Sequence, residues 1–457
     1  MEISTTAPQA PTPTLRPTSL DERIPTIDVI RGVALLGILM MNIPGFALPE
    51  GFEFAQLLAN PTFSNPNYAL DFWILVLFEG KMRALFSMLF GAGVILFVRR
   101  KEAAGGGLRV ADLYYRRMLW LIAFGVVDAF VLHWEGDILY SYGLVGLLLF
   151  TVRNVPPRRL LLGALLCFSF MAFKGIWRTQ ETKAKREAYL KVITLEKAHK
   201  KLTEAQKEEK EAWLTVEKSR KPDPKKMAAQ VKAMQGNYLS VDNFLRPRVV
   251  EDQSTAIYQF LLWDTLGMML LGMALFRWGV FGGRLSTRSY LTMTGLGYVV
   301  GIPVGLFANE MDLQMWQNIG AYFDNHRVNW NRATYDVRRV SMALGHVGLL
   351  MLLFRSRLVP GLMRALAAVG QMAFSNYVMH TLICTAIFFG YGLGYYGKLQ
   401  YYQLFYVVTS IWVFQLIASP LWLRYFRFGP LEWVWRSLTY WKRQPMKRRE
   451  EVAAVAV

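Results

Sequence analysis

The stretch Ile27-Asp28-Val29-Ile30-Arg31-Gly32-Val33-Ala34-Leu35-Leu36-Gly37-Ile38-Leu39-Met40-Met41-Asn42-Ile43-Pro44-Gly45-Phe46 decides the fold. Its ionisable side chains, Asp28 and Arg31, sit together at its beginning, and the remainder is apolar apart from Asn42. A bilayer core needs about 20 such residues per helix, so the run reads as a membrane span. Nine more apolar runs follow, at 84–98, 118–134, 138–152, 159–177, 255–276, 289–308, 338–355, 365–389 and 403–423. The chain therefore reads as an all-α, polytopic membrane bundle of about ten transmembrane helices.

Composition agrees. Of 457 residues, 53% are apolar and only 19% charged, against about a quarter charged in a soluble domain. The 52 Lys and Arg against 33 Asp and Glu give +19. The charge is uneven, because residues 178–254 hold 18 of the basic and 12 of the acidic residues. This excludes a single soluble globule and a wholly disordered chain. It also argues against a nucleic-acid partner, since membrane proteins place Lys and Arg for topology. Cys167 and Cys384 lie inside apolar runs and suggest no disulfide.

The short loops divide into two sets. One carries Arg99, Arg100, Lys101, Arg109, Arg116 and Arg117, then Arg153, Arg158 and Arg159, and further arginines after spans six and eight. The alternate set is nearly bare, with Lys398 alone in 390–402. The positive-inside rule then places both termini and the arginine-rich loops in the cytoplasm. The expected organisation is a disordered tail over 1–22, a membrane half over 23–177, a charged helical extracytoplasmic insertion over 178–254, a second membrane half over 255–440, and a basic cytoplasmic tail over 441–457. The insertion reads as two charged helices around Pro222 and Pro224, a solvated hairpin or a docking arm. Residues 68–98 are too long for one crossing, so a break is expected at Gly80.

Ionisable groups inside spans face partners or cavities. Asp28 and Arg31, three apart, share a helix face and suit an ion pair or an anion contact. Asp128 and Asp264 need partners, for which Lys81, Arg83 and His346 are available. Asn376 and His380 share a face of the ninth span. The densest cluster is His133-Trp134-Glu135-Gly136-Asp137, where a His with two carboxylates has the composition of a general acid/base site. Capping of the next helix is the competing role for Asp137. Asn42 suits either orientation of a reacting group or helix–helix bonding. Gly91 and Gly93 read as close helix packing. No metal-ligand spacing and no phosphate loop is present in the sequence.

Several stretches carry a resemblance: the opening of the first span up to Met41-Asn42-Ile43, Leu85-Phe86-Ser87-Met88-Leu89-Phe90-Gly91-Ala92-Gly93, Trp134-Glu135-Gly136-Asp137-Ile138-Leu139, Gly370-Gln371-Met372-Ala373-Phe374-Ser375-Asn376-Tyr377, and Arg427-Phe428-Gly429-Pro430-Leu431-Glu432-Trp433. Together these resemble the YeiB-like bacterial inner-membrane proteins, whose C-terminal half is a domain of unknown function. The N-terminal half is similar to the heparan-α-glucosaminide N-acetyltransferase group. That resemblance implies transfer of an acetyl or other acyl group from cytoplasmic acyl-CoA to an extracytoplasmic hydroxyl or amine on a glycan or lipid. His133, Glu135 and Asp137 would then supply the base and Asn42 the oxyanion contact, with Asp28, Arg31, Lys81 and Arg83 holding the cofactor. Asp128, Asp264, His346, Asn376 and His380 would be further buried polar groups, with no metal. A transporter of a small solute or lipid-like molecule is the alternative, because a broken helix and buried carboxylates also mark transport sites. A scaffold docking through the charged loop is a third reading. The oligomeric state is left open.

Overall fold

The computed structural model describes residues 23–448; the expected tails at 1–22 and 449–457 lie outside the described residues. The chain is 79% helical, and the described residues contain no strand. The first half runs α1 Pro25–Ala47, α2 Phe52–Leu58, α3 Pro66–Leu77, α4 Lys81–Ala103, α5 Leu108–Phe130, α6 Leu139–Leu149 and α7 Pro157–Lys197. The insertion continues with α8 Glu204–Ser219, α9 Pro224–Met234 and α10 Tyr238–Glu251. A π-helical stretch, Asp252–Leu261, leads into α11 Leu262–Arg277. Then come α12 Thr287–Gln317, α13 Ile319–Asn325, α14 Trp330–Ala333, α15 Tyr335–Ser356, α16 Pro360–Gln371, α17 Ala373–Phe388, α18 Tyr401–Tyr425 and α19 Pro430–Tyr440.

Each expected span falls in helix, but the spans differ in kind. Seven helical stretches among the described residues are long and apolar enough to cross a membrane. The helices α6 and α17 are shorter. The helix α5 carries Arg109, Asp112, Arg116 and Arg117 in its first turns, which leaves a short apolar remainder. The run 365–389 is not one helix: it breaks at Met372, between α16 and α17. The break expected at Gly80 is present, with Gly80 at φ +73°, a backbone region open to glycine.

The insertion departs from a two-helix hairpin. The span beginning at Pro157 continues without interruption to Lys197, about 61 Å at 1.5 Å per residue. No Gly or Pro occurs between Ile176 and Lys221, so nothing in the sequence stops it at the membrane. The proline turn does separate α8 from α9, where Asp223 caps α9 through the Lys225 and Lys226 amides. The insertion is not merely solvated. Trp213 of α8 is fully buried against Met315, Ile319, Tyr322 and Phe323. Arg186 of α7 binds Asp324 through two bonds, of 3.0 and 2.7 Å.

The tightest crossing joins the two membrane halves. A Cβ built on Gly32 of α1 would run into the Leu366 carbonyl of α16, and one on Gly370 into the Asp28 carbonyl. Backbone touches backbone there, as small residues permit in bilayers. Gly370→Val is expected to destabilise the protein by about 1–3 kcal/mol through overpacking. Thermal unfolding of detergent-solubilised protein measures this, and Gly361→Ala, where an added Cβ meets nothing within 4 Å, should match wild type.

Candidate functional site

A cavity of about 250 Å³ lies between the two membrane halves. Helices α1, α4, α5 and α6 contribute one wall; the start of α17 and α19 contribute the other. Five arginines line it: Arg23, Arg31, Arg100, Arg117 and Arg436. Its middle is apolar, with Phe86, Leu89, Phe90, Met118 and Leu121, and the hydroxyl-bearing Tyr142 and Tyr377 also line it.

The arginines are held in different ways. Asp28 takes a bond of 3.0 Å from Arg31 and lies 3.5 Å from Arg23. The expected Asp28–Arg31 pair thus forms, and it lines the cavity. Arg117 stacks on Trp435, 3.7 Å from the ring centroid, and Trp435 Nε1 donates to the Arg117 carbonyl. Arg436 lies 4.5 Å over Phe428. Aromatic faces hold these two guanidiniums without using their N–H donors. Burial pushes the Arg436 guanidinium down to about 9. Glu432 lines the same end, but its oxygens are occupied: Oε1 accepts from the Phe374 and Ser375 amides and Oε2 from Ser375 Oγ. These bonds cap α17, and burial raises the Glu432 pKa.

At Tyr377 the cavity meets the 133–137 turn. The Tyr377 hydroxyl accepts from Trp134 Nε1 and the Ile138 amide, both at 3.2 Å, and donates to Asp137 Oδ1 at 3.4 Å. Asp137 caps α6, accepting from the Leu139 amide at 3.1 Å and the Tyr140 amide at 2.9 Å. Its carboxyl is also within hydrogen-bond reach of Asp128. Thr381 Oγ1 donates to Asp128 Oδ2 at 3.5 Å, while the buried Asp128 Oδ1 has no hydrogen-bond partner among the described residues. Burial pushes Asp137 up to about 6, against the pull of the two capping amides.

The other members of the turn point elsewhere. His133, held at φ +63°, is buried with Nε2 3.4 Å from Asp242 of α10, and its ring packs on Tyr238 at 4.4 Å. Burial lowers its pKa. Glu135 lies 3.9 Å from Arg248, and burial raises its pKa. Adjacent side chains on a turn diverge, so the grouping of His133, Glu135 and Asp137 into one acid/base cluster is not formed. Asn42 is half-buried and does not line the cavity.

Lys81 and Arg83 also lie away from it, so the four residues expected to hold a cofactor split into two pairs. They begin α4 at the Gly80 break, in a second charged network. Arg83 lies 3.2 Å from Asp264, which also binds Arg339 closely; Arg339 is 1% exposed and reaches Asp336 as well. Lys81 Nζ donates to the Leu75 carbonyl at 2.6 Å, and His346 Nε2 to the Leu77 carbonyl at 2.9 Å. A carbonyl only accepts, so His346 carries its hydrogen on Nε2, and Nδ1 accepts from Tyr298. Both side chains satisfy carbonyls at the end of α3. Asn376 donates to the Val369 carbonyl and Ser419, and His380 pairs with Gln415 at 3.0 Å, which bonds α17 to α18. Asp264→Ala leaves the Arg339 charge buried without its closest partner and is expected to cost about 3–5 kcal/mol. Thermal unfolding tests this, with Arg31→Ala, whose side chain is part-exposed, expected to cost less.

Arg117, Tyr377, Glu432 and Arg436 were not singled out from the sequence as site residues. Arg117 read as a topology signal; Glu432 sits 58 residues from the amide it caps, a distance no local pattern spans.

The comparisons agree on one lineage. A profile described as a protein of unknown function, DUF418, matches residues 275–442. YxaH of Bacillus subtilis strain 168, titled an uncharacterised protein, is 28% identical over 444 residues, covering 96% of this chain and 99% of its own. YeiB of Escherichia coli K12, also titled uncharacterised, is 30% identical over 432 residues, with 92% and 96% covered. A 39.9 kDa protein from the amylase 3′ region of Bacillus acidopullulyticus is 26% identical over 436 residues, with 95% and 99% covered. No solved structure matches. The DUF418 region supplies Gly370, Tyr377, Glu432 and Arg436, the C-terminal share of the cavity. The chain, with its DUF418 region at 275–442, belongs to the YeiB family.

Proposed function

We propose that this protein is an integral-membrane acyltransferase of the bacterial cytoplasmic membrane, with its arginine-rich end and both termini in the cytoplasm. One observation carries the reading: a continuous cavity connects five arginines with the Tyr377–Asp137 contact. Transfer across a membrane requires such a path, because the thioester and the base must meet. The arginines fit the phosphates of an acyl-CoA by charge-assisted bonds. The apolar middle fits the arm and a short acyl group, acetyl among them. The acceptor, a hydroxyl or amine on a glycan or lipid, arrives from the side of the 133–137 turn.

The chemistry balances on groups of this chain. The acceptor oxygen or nitrogen attacks the thioester carbonyl, and its proton passes to the Asp128–Asp137 pair. The C–S bond breaks, the new C–O or C–N bond forms, and the proton leaves with the CoA thiolate. The Tyr142 hydroxyl, 2.5 Å from Ser87 Oγ, is the donor available to the oxyanion in place of Asn42. Asp137 takes the role of base rather than His133 or Glu135, since it alone of the three contacts a cavity-lining side chain at Tyr377.

The test is thiol release from acetyl-CoA and longer acyl-CoAs by protein in nanodiscs, with water standing in for the acceptor. A base titrating near 6 must be deprotonated, so the rate should rise about tenfold from pH 5 to pH 7 and then level. Asp137→Asn, which keeps an oxygen for the α6 cap, should lower the rate about a hundredfold or more and remove this rise. Absence of thiol release from every acyl-CoA would overturn the reading and favour transport, to be followed by flux assays on Asp128 and Asp264 variants.

A further inference from the structure

We infer that Arg83 is a positioning residue for the cavity: through Ser87 it orients and polarises the Tyr142 hydroxyl as the donor to the thioester oxygen. The inference rests on the acyl-CoA reading above, with Tyr142 as its oxyanion donor, and it gives the Arg83–Asp264–Arg339 network a part in that site.

Arg83 does not line the cavity, but it lies on the helix face that does. Phe86, Phe90 and Phe97 of α4 line the cavity, and they follow Arg83 at helical spacing on one side of that helix. Ser87 follows Arg83 by four residues and shares its face. Arg83 is therefore one turn beyond the end of the cavity formed by Phe86. Tyr142 of α6 packs against the same turn. Its ring centroid is 5.9 Å from that of Phe86 and 5.3 Å from that of Phe90, and its hydroxyl is 2.5 Å from Ser87 Oγ. Tyr142 lines the cavity and is 1% exposed. The Ser87–Tyr142 pair thus joins the cavity wall to the turn that carries Arg83.

Pairing alone does not account for Arg83. Asp264 already binds Arg339 closely, and Asp336 holds Arg339 from within α15. A second guanidinium on Asp264 adds a desolvation cost inside a span. Arg83 gives Asp264 one nitrogen, at 3.2 Å, and its buried Nε has no hydrogen-bond partner among the described residues. Of the charged groups within electrostatic reach of the Tyr142 hydroxyl, Arg83 acts most strongly, ahead of Asp264 and Arg339. Its positive charge therefore decides the sign of the field at that oxygen. With Ser87 as the donor of the 2.5 Å bond, the Tyr142 hydrogen is left for the substrate. As the thioester carbonyl becomes an oxyanion, negative charge moves onto the Tyr142 oxygen, and a fixed cation one turn away favours that shift in a low-dielectric site.

The experiment is a double-mutant cycle on thiol release from acetyl-CoA by protein in nanodiscs. Tyr142→Phe should lower kcat about a hundredfold, as loss of an oxyanion donor does. Arg83→Gln should lower kcat about tenfold and leave KM within about twofold, because Arg83 touches no part of the cavity. Arg83→Lys, which restores the charge, should recover most of that loss. In the Tyr142→Phe background, Arg83→Gln should change kcat by less than about twofold, since the group it acts through is gone. Ser87→Ala runs the same cycle without removing a charge and is read instead if thermal unfolding shows that Arg83→Gln does not fold. Equal fold losses with and without the Tyr142 hydroxyl, or wild-type kcat in the single variants, would overturn the inference and leave the acyl-CoA reading standing. Absence of thiol release by wild type would overturn both.

Discussion

Every helix end buried in this bundle must find partners for its backbone N–H and C=O groups, because hydrocarbon offers none. At three of the buried places among the described residues where the chain interrupts its helices, an ionisable side chain makes the seal. At the Gly80 break, Lys81 and His346 take the Leu75 and Leu77 carbonyls. At the 133–137 turn, Asp137 takes the Leu139 and Tyr140 amides. At Met372, Glu432 takes the Phe374 and Ser375 amides. Much of the charge inside the membrane is therefore fixed by backbone accounting before any chemistry is considered.

Two of these seals also shape the cavity. Glu432 brings α19 against α17 and so carries Trp435 and Arg436 to the arginine-lined end. Asp137 sets the start of α6 and accepts from Tyr377, with the Asp128 carboxyl close by. The third seal, at Gly80, leads instead into the Asp264–Arg339 network, whose paired charges bind α4, α11 and α15 together. The site thus depends on both membrane halves. The DUF418 region alone would present Tyr377 and Arg436 to an open face, and the N-terminal half would present Arg31 and Asp137 likewise.

The spans were legible because their signal is local: length and apolar content at 27–46 or 403–423 need no tertiary context. The Gly80 break and the capping role of Asp137 were legible for the same reason. The break at Met372 was not, since 365–389 is apolar throughout and its cause, the Glu432 cap, comes from far along the chain. The reach of α7 to Lys197 could have been read from the absence of Gly and Pro beyond Gly175. The Asp264–Arg339 partnership joins residues 75 apart and has no short-range mark. Within 133–137 the residue types were visible but their directions were not, because divergence of adjacent side chains is set by the turn. Gly93 was read as packing with Gly91; only the built structure separates a glycine touched by a helix from one facing empty space.

The central claim is that a thioester arm lies along α4 between the arginines and Tyr377. Photo-crosslinking tests it most directly, using an acyl-CoA with a diazirine at the end of its acyl group and mapping the adducts by mass spectrometry. The account predicts labels on the α4 face around Phe86 and Phe90 and on Tyr142 or Tyr377, competed by unlabelled acyl-CoA. Labels confined to α12, α15 or the lipid-facing side of α18, or labels insensitive to competition, would contradict it.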